Sequence, residues 1–566
     1  MQAYRLERLG IAWMRRRHAA AVRGVDIVSV LRPRTGPIVV EHVRGACRAA
    51  ESRTRGVVLL GVDGHVIGVE AHVSIGVSGF SVVGMADKLV GEARDRCRSA
   101  VLNKGLEWPG PKNTVGLAAG RAAQARSDAR LAIALALLAA SGQAPRRRGR
   151  RARPVGELGL DGRVRPVRGA LVAALAARAA GATRIVVPRA NVQEASLVPG
   201  IDVVGVRTLA GALALVRGDD VPEVELDHTG DEPALVGEAP TVPDLADVRG
   251  QHAARGALEL AAAGGHHLAM TGPPGVGKTM LAERLPGLLP PLDEQASLEV
   301  TAIHSVAGRL EGGRLITVPP FEAPHHTATH AAMVGGGSGV ARIGLVSLAH
   351  RGVLFLDEAP EFDTNALDAL RQPLESGEMV VSRSAFTVRF PARFHLVLAM
   401  NPCPCGRAGG LAGSGAPMCT CSPVQRRRYL SRISGPLLDR VDLRVMLVRP
   451  TLADLEFGAS TAEPTSVVAA RVLEARDRAA RRYAGTPWRV NADVPGPVVR
   501  RRFGLDPDAS APLSDALARG VVSARGADRV VRVAWTVADL AGRDRPSRAD
   551  VGTALLHRDG GAAWAA

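Results

Sequence analysis

The run Gly272, Pro273, Pro274, Gly275, Val276, Gly277, Lys278, Thr279, Met280 contains the spacing G-x-x-x-x-G-K-S/T. That spacing suits a loop that holds phosphate. Glycines at 272, 275 and 277 open backbone angles closed to other residues, so several N–H groups can converge on one anion. Leu281 to Leu285 reads as a helix, whose start adds free N–H groups and a positive dipole end. Lys278 is placed to reach the β/γ-phosphates of a nucleotide, and Thr279 to ligate Mg²⁺.

A second stretch completes the chemistry. Val353 to Leu356 is a continuous apolar run, as a strand buried on both faces requires, and it ends in Asp357 and Glu358. Asp357 is expected to hold Mg²⁺, directly or through water, and Glu358 to act as base on the attacking water. A further strand, Phe394 to Met400, ends in Asn401, a polar tip suited to orienting that water. Arg440, in Ser434 to Asp442, is placed to point out of its own subunit towards a neighbour's nucleotide as an arginine finger. A surface salt bridge with Asp439 or Asp442 is the alternative.

Cys403, Cys405, Cys419 and Cys421 form two C-x-C pairs around a Gly/Ala/Ser loop. They read either as a zinc clip of four thiolates or as four reduced thiols. His325, His326 and His330 lack a nearby acidic or cysteine partner in sequence, which argues against a metal site there.

These residues need scaffolds to hold them. The chain has 566 residues, enough for two to four domains, and is 46% apolar, which excludes a disordered polypeptide. Its formal charge of +17 favours a polyanionic partner, nucleic acid before an anionic membrane surface. Aromatics at 3% argue against a base-stacking platform. The apolar run Leu131 to Ala140 is too short to cross a bilayer, and the start shows no signal-peptide pattern, so a cytoplasmic location is expected.

Residues 1–53 form an extension with two expected strands, 26–31 and 38–43. It resembles the tail of the YraN-like family. Residues 54–217 read as an α+β domain. It opens on a hairpin around the Asp63-Gly64 turn, with Val69, Ala71 and Val73 on a buried face. Helices are expected over 86–103, 131–140 and 169–180, and a second hairpin over 156–167. This unit resembles the ribosomal-S5/Lon-like fold. Val172 occupies the expected lysine position and Ser127 has no visible partner, so no Ser–Lys protease dyad is expected. Residues 120–130 and the Arg-rich run 146–153 stray from the pattern; the run reads as a solvated linker.

Residues 218–243 are an acidic linker, 244–450 a nucleotide-binding core, and 451–566 a mostly helical lid. Seventy-nine positions separate Lys278 from Asp357, which points to an insert over 304–344, expected to be a hairpin that projects into a pore. The segment 467–483 has helical spacing and an expected basic face at Arg471, Arg478, Arg481 and Arg482.

From about Val57 to His557 the chain resembles the YifB/ComM group of magnesium-chelatase-like AAA+ ATPases. The resemblance rests on residues 271–285, Ala323 to Thr327, Leu348 to Glu358, Asn401 to Gly406 and Ser434 to Arg440. It implies an α/β multidomain protein with a central AAA+ P-loop αβα core. It makes Lys278 and Thr279 Walker A, Asp357 and Glu358 Walker B, Asn401 sensor 1, Arg440 the arginine finger and Arg532 sensor 2. It also implies ATP and Mg²⁺ as cofactors, self-association into a hexameric ring and, in the ComM branch, branch migration on single-stranded or branched DNA. Glu322, Leu345 and Trp535 depart from the family pattern. A magnesium-chelatase-type ATPase that remodels a protein partner, and a nucleotide-binding protein without turnover, are the alternatives.

Overall fold

A computed structural model describes residues 50–85, 87–118, 129–145, 152–219, 242–310, 312–336, 342–382, 387–408, 419–451, 454 and 462–559. The expected strands at 26–31 and 38–43, Ser127, most of 120–130 and most of the Arg-rich run lie outside them. The chain divides at Arg48/Ala49 into two compact units, and all the described residues belong to the second.

The second unit opens on a long hairpin, Ala50–Leu60 with Asp63–Ser74. Leu60 pairs with Asp63, so the two-residue turn is Gly61-Val62 rather than the expected Asp63-Gly64. Gly61 supplies the positive φ (64°) such a turn demands. The first strand begins at Ala50, inside the segment read as an extension. Lys112–Ala118 and Gly79–Val83 complete a four-stranded sheet. Val69, Ala71 and Val73 all point into the core, as alternation with Glu70, His72 and Ser74 predicts. The helix Arg130–Ala140 is apolar almost all round and buried nearly throughout, the expected fate of a helix without a polar face. Ala152–Pro154, Arg184–Pro188 and Asp202–Val206 form a parallel three-stranded sheet beside the helix Ala170–Ala179, in which Val172 is buried.

The core from residue 244 is built on a five-stranded parallel sheet. Its strand order is Phe321–Glu322, Val353–Leu356, His395–Met400, Leu268–Thr271, Leu443–Met446. The second and fourth of these are buried at every position, because helices cover both faces. The expected insert is partly core. Its first residues belong to the helix Glu294–Ala307, and Phe321–Glu322 is an edge strand of the sheet. Only Gly335–Gly336 with Arg342–Ile343 is a hairpin there, and its tip lies outside the described residues. A second hairpin, Glu378–Ser382 with Thr387–Pro391, has no counterpart among the sequence expectations.

Helices Thr465–Arg482, Gly496–Arg502, Pro507–Ala518, Ala524–Leu540 and Arg548–Asp559 form the C-terminal part. They share one apolar core with the helices His252–Gly264 and Lys278–Leu288. The expected basic face is largely consumed inside the fold. Arg471 pairs with Glu259 and Glu463, Arg478 donates to Asp539 O at 2.7 Å, and Arg482 pairs with Asp539. Trp535 is locked in this core: its Nε1 donates to Phe503 O at 2.9 Å and Arg482 lies 4.1 Å over its ring.

Candidate active site

The carboxyl ends of three neighbouring strands carry the chemistry. Leu268–Thr271 runs into Gly272, Val353–Leu356 into Asp357, and His395–Met400 into Asn401. Ligands of open parallel sheets gather at that edge. Gly275 and Gly277 have φ of 77° and 95°, angles at which a side chain would be strained. Gly272 is confined in a different way, because a Cβ there would come within 2.9 Å of Leu447 O. Gly277 ends the loop and caps the helix Lys278–Leu288, so free N–H groups and the helix dipole meet at one point.

Lys278 is held inside the loop. Its Nζ donates to Gly272 O at 2.7 Å, Pro273 O at 3.1 Å and Asn401 Oδ1 at 3.0 Å. Burial pushes its ammonium below the usual lysine range, while Asp357 and Glu358 pull it back up. Thr279 Oγ1 donates to Asp357 Oδ2 at 2.9 Å, which places a hydroxyl and a carboxylate side by side, a donor pair that suits Mg²⁺. The Glu358 N–H donates to Asp357 Oδ1 at 2.9 Å. Glu358 is exposed, and its φ of +50° is a strained left-handed conformation for a non-glycine residue. Pro273, Pro274, Gly275 and Met280 lie at the open side of the loop, and Val276 packs inward.

Two further residues, assigned no role in the site from sequence alone, contribute. His326 Nδ1 lies 3.4 Å from Glu358 Oε2. Local sequence shows no partner for the histidines of 325–330, because this carboxylate lies some thirty residues further along the chain. Gln251 Nε2 donates to Val276 O at 3.1 Å and Val448 O at 2.6 Å, tying the loop to the end of the edge strand Leu443–Met446. Its φ of +54° is a feature no residue pattern signals.

The arginines stand elsewhere. Asp442 N–H donates to His267 O at 3.1 Å, at the amino end of the phosphate-loop strand. Arg529 pairs with Asp442 and donates to Arg440 O. Arg440 itself does not point freely outward. Its Nη1 donates to Pro436 O at 2.6 Å, its Nη2 pairs with Glu375, and its side chain is 14% exposed. Arg532 lies one turn from Arg529 on Ala524–Leu540. Burial pushes its guanidinium below the usual arginine range, with Asp442 the strongest charge opposing the shift. Five strand steps, from His267 to Gly272, separate Asp442's level from the phosphate loop, about 16 Å. Arg440 and Arg532 therefore occupy the opposite edge of the sheet from Lys278. Among the described residues, neither makes a hydrogen bond or ion pair to the loop, Asp357, Glu358 or Asn401.

The four cysteines are brought together. Their sulfurs all lie within 4.8 Å of one another, a group able to hold a metal ion. No helix of the described residues is long and apolar enough to cross a membrane.

Comparison with known proteins agrees with this geometry. Residues 244–455 match the family model described as magnesium chelatase, subunit ChlI. Residues 69–191 match subunit ChlI of Mg-chelatase, and 462–558 the ChlI C-terminal model. An uncharacterized protein of Mycobacterium tuberculosis is 50% identical over 514 residues, 91% of this chain and 99% of its own. The uncharacterized protein YifB of Escherichia coli is 39% identical, covering 88% of this chain and 95% of its own. The competence protein ComM of Haemophilus influenzae is 37% identical, covering 88% and 96%. With a phosphate loop, paired carboxylates and a polar strand tip on one parallel sheet, the chain belongs to the YifB/ComM magnesium-chelatase-like family of AAA+ ATPases.

Proposed function

We propose that the protein is a Mg²⁺-dependent ATP hydrolase that works as a ring-forming motor on DNA. The observation that carries the hydrolytic part is the Lys278–Asn401 and Thr279–Asp357 contact pair, with Glu358 beside it. In this reading Lys278 and the loop N–H groups bind the β/γ-phosphates. Thr279 and Asp357 hold Mg²⁺, Asn401 orients water, and Glu358 takes its proton.

Arg440 acts as an arginine finger on the nucleotide of an adjoining chain, which its place at the far edge of the sheet favours, and Arg532 serves as sensor 2 from the lid. A ring, taken as a hexamer, supplies that neighbour. In this reading the domains are 54–217, with its start moved back to the strand beginning at Ala50, 244–450 and 451–566. The first is an S5/Lon-like unit without a protease dyad, and the last is the lid. A zinc ion is assigned to the four cysteines, and the cytoplasm is the expected location.

A charge of +17 and a relative named for competence support DNA as the track, with helicase or translocase work on single-stranded or branched DNA. ATPase rate with and without such DNA, over a salt series, tests this. Stimulation that fades steeply as salt rises is expected, because phosphate contacts release counterions. A rate indifferent to DNA contradicts the motor reading. The chelatase family models favour a second reading, remodelling of a protein partner. Co-purification of a large chelatase-type subunit, with no response to DNA, would select it.

A further inference from the structure

The cysteine cluster is joined to the hydrolytic residues by short stretches of chain that pack on them. Asn401 and Cys403 are separated by one residue, and Cys403 is fully buried. Its sulfur lies 3.3 Å from that of Cys405 and 3.6 Å from that of Cys419, and Cys405 and Cys419 are 3.6 Å apart. A disulfide needs about 2.05 Å. A tetrahedral ion with bonds of about 2.3 Å to sulfur sets its ligands about 3.8 Å apart. The separations fit a shared ion, and an all-thiolate set selects a soft or borderline one.

Both arms of the cluster reach the nucleotide site. Gly406 has φ of +73°, and a Cβ there would come within 2.6 Å of Pro274 Cδ. Its N–H donates to Cys403 O at 2.9 Å, and the Ala408 N–H points at Cys403 Sγ at 3.3 Å. On the other arm Cys421 leads into Ser422, which caps Pro423–Leu430 in a reciprocal capping box with Gln425. Tyr429 of that helix is buried and meets the Asn401 backbone.

We propose that Cys403, Cys405, Cys419 and Cys421 bind one zinc ion that clamps the chain after Asn401 against Pro274, so that zinc and nucleotide stabilise each other and hydrolysis depends on zinc occupancy. The kinetic part rests on the hydrolytic reading above; the zinc–nucleotide coupling does not. A clamp touching the phosphate loop is linked to it in both directions: nucleotide must stabilise bound zinc as much as zinc stabilises bound nucleotide.

The full-length protein is assayed for zinc by elemental analysis. Zinc release to a chromogenic chelator under a thiol-modifying reagent is then timed, with and without a Mg²⁺-bound non-hydrolysable ATP analogue. About one zinc per chain, released severalfold more slowly with the analogue, is expected. The double variant Cys419→Ser/Cys421→Ser should lose zinc, bind nucleotide severalfold more weakly and lose kcat about 10- to 100-fold at saturating nucleotide. Cys419→His, which can keep zinc on three thiolates and an imidazole, should retain zinc and most of kcat, separating the clamp from a folding defect. A zinc-free purified protein, release indifferent to nucleotide, or a zinc-free double variant with full kcat overturns the clamp. Zinc bound and nucleotide-protected in a chain that turns over no ATP supports the clamp and sinks the hydrolytic reading instead.

Discussion

Thr279 donates its hydroxyl to Asp357 across 2.9 Å, joining the first helical turn after the phosphate loop to the tip of a strand in the same sheet. The two residues are 78 positions apart in the chain, and only the strand order of the sheet brings them together. With Lys278 on Asn401, the pair fixes where a metal-bound triphosphate would lie.

Glu358 is the proposed base, so removing its proton-accepting power should separate chemistry from binding. Glu358→Gln is expected to lower kcat about 10²- to 10⁴-fold while nucleotide affinity changes little. Steady-state turnover beside a fluorescent-nucleotide titration measures both. Equal loss of both would assign Glu358 a structural role.

Arg440 and Lys278 lie at opposite edges of one sheet, so sites shared between chains can be complemented. Arg440→Ala and Lys278→Ala proteins should each be nearly inactive. Mixed, they should regain part of the wild-type rate, because some sites combine an intact loop with an intact arginine. A mixture as inactive as its components would place both residues in the same site.

The sheet carries an acid-sensitive element. Burial pushes His267 down to about 4 and His395 down to about 3 from the ordinary 6.5. Both are neutral in the folded state, and the unfolded chain takes up their protons first. Their folded pKa values lie below the unfolded one, so stability falls as pH drops from about 6.5 through 4. Every tenfold difference in proton affinity between the folded and unfolded chain is worth about 1.4 kcal/mol. Thermal unfolding followed from pH 7.5 to 4.5 should show a falling Tm that is milder in His395→Asn. A flat profile contradicts it.

Glu299 braces the entry to the strand that carries Asp357. Its carboxylate lies 3.4 Å from His350 Nε2 and 3.0 Å from Arg351 Nη2, and Arg351 holds a φ of +63°. Burial alone would raise the carboxyl, but the His350 hydrogen bond and Arg351 outweigh it and hold it down to about 2. Glu299→Ala leaves half-exposed Arg351 and buried His350 without this partner and should cost about 1 to 2 kcal/mol. Denaturant unfolding measures the loss. An unchanged midpoint would show that the brace contributes nothing.

The phosphate loop, the carboxylate pair and Asn401 were legible because each is local: a short run whose residue types carry the chemistry directly. The buried helix Arg130–Ala140 and the alternation of Val69, Ala71 and Val73 were legible for the same reason. What distant pairing decides was not. The Gly61-Val62 turn is set by register, and Asp63-Gly64 offered an equally good local signal two residues along. Phe321–Glu322 is too short for a strand pattern and owes its place to Val353–Leu356 beside it. Spacing along a helix showed Arg471, Arg478 and Arg482 in a row, but not the acidic and carbonyl partners that other elements bring to them. Arg440 could be named from its own stretch and from the family resemblance, Arg532 from the resemblance alone, and their edge of the sheet follows from Asp442 pairing with the strand start at His267.

Turnover of ATP by the purified full-length protein, compared with Lys278→Ala in the presence of Mg²⁺, tests the central claim most directly. The wild type should hydrolyse ATP, and the variant should lose nearly all of that rate as its ammonium leaves the loop. A variant that hydrolyses ATP as fast as the wild type would contradict it.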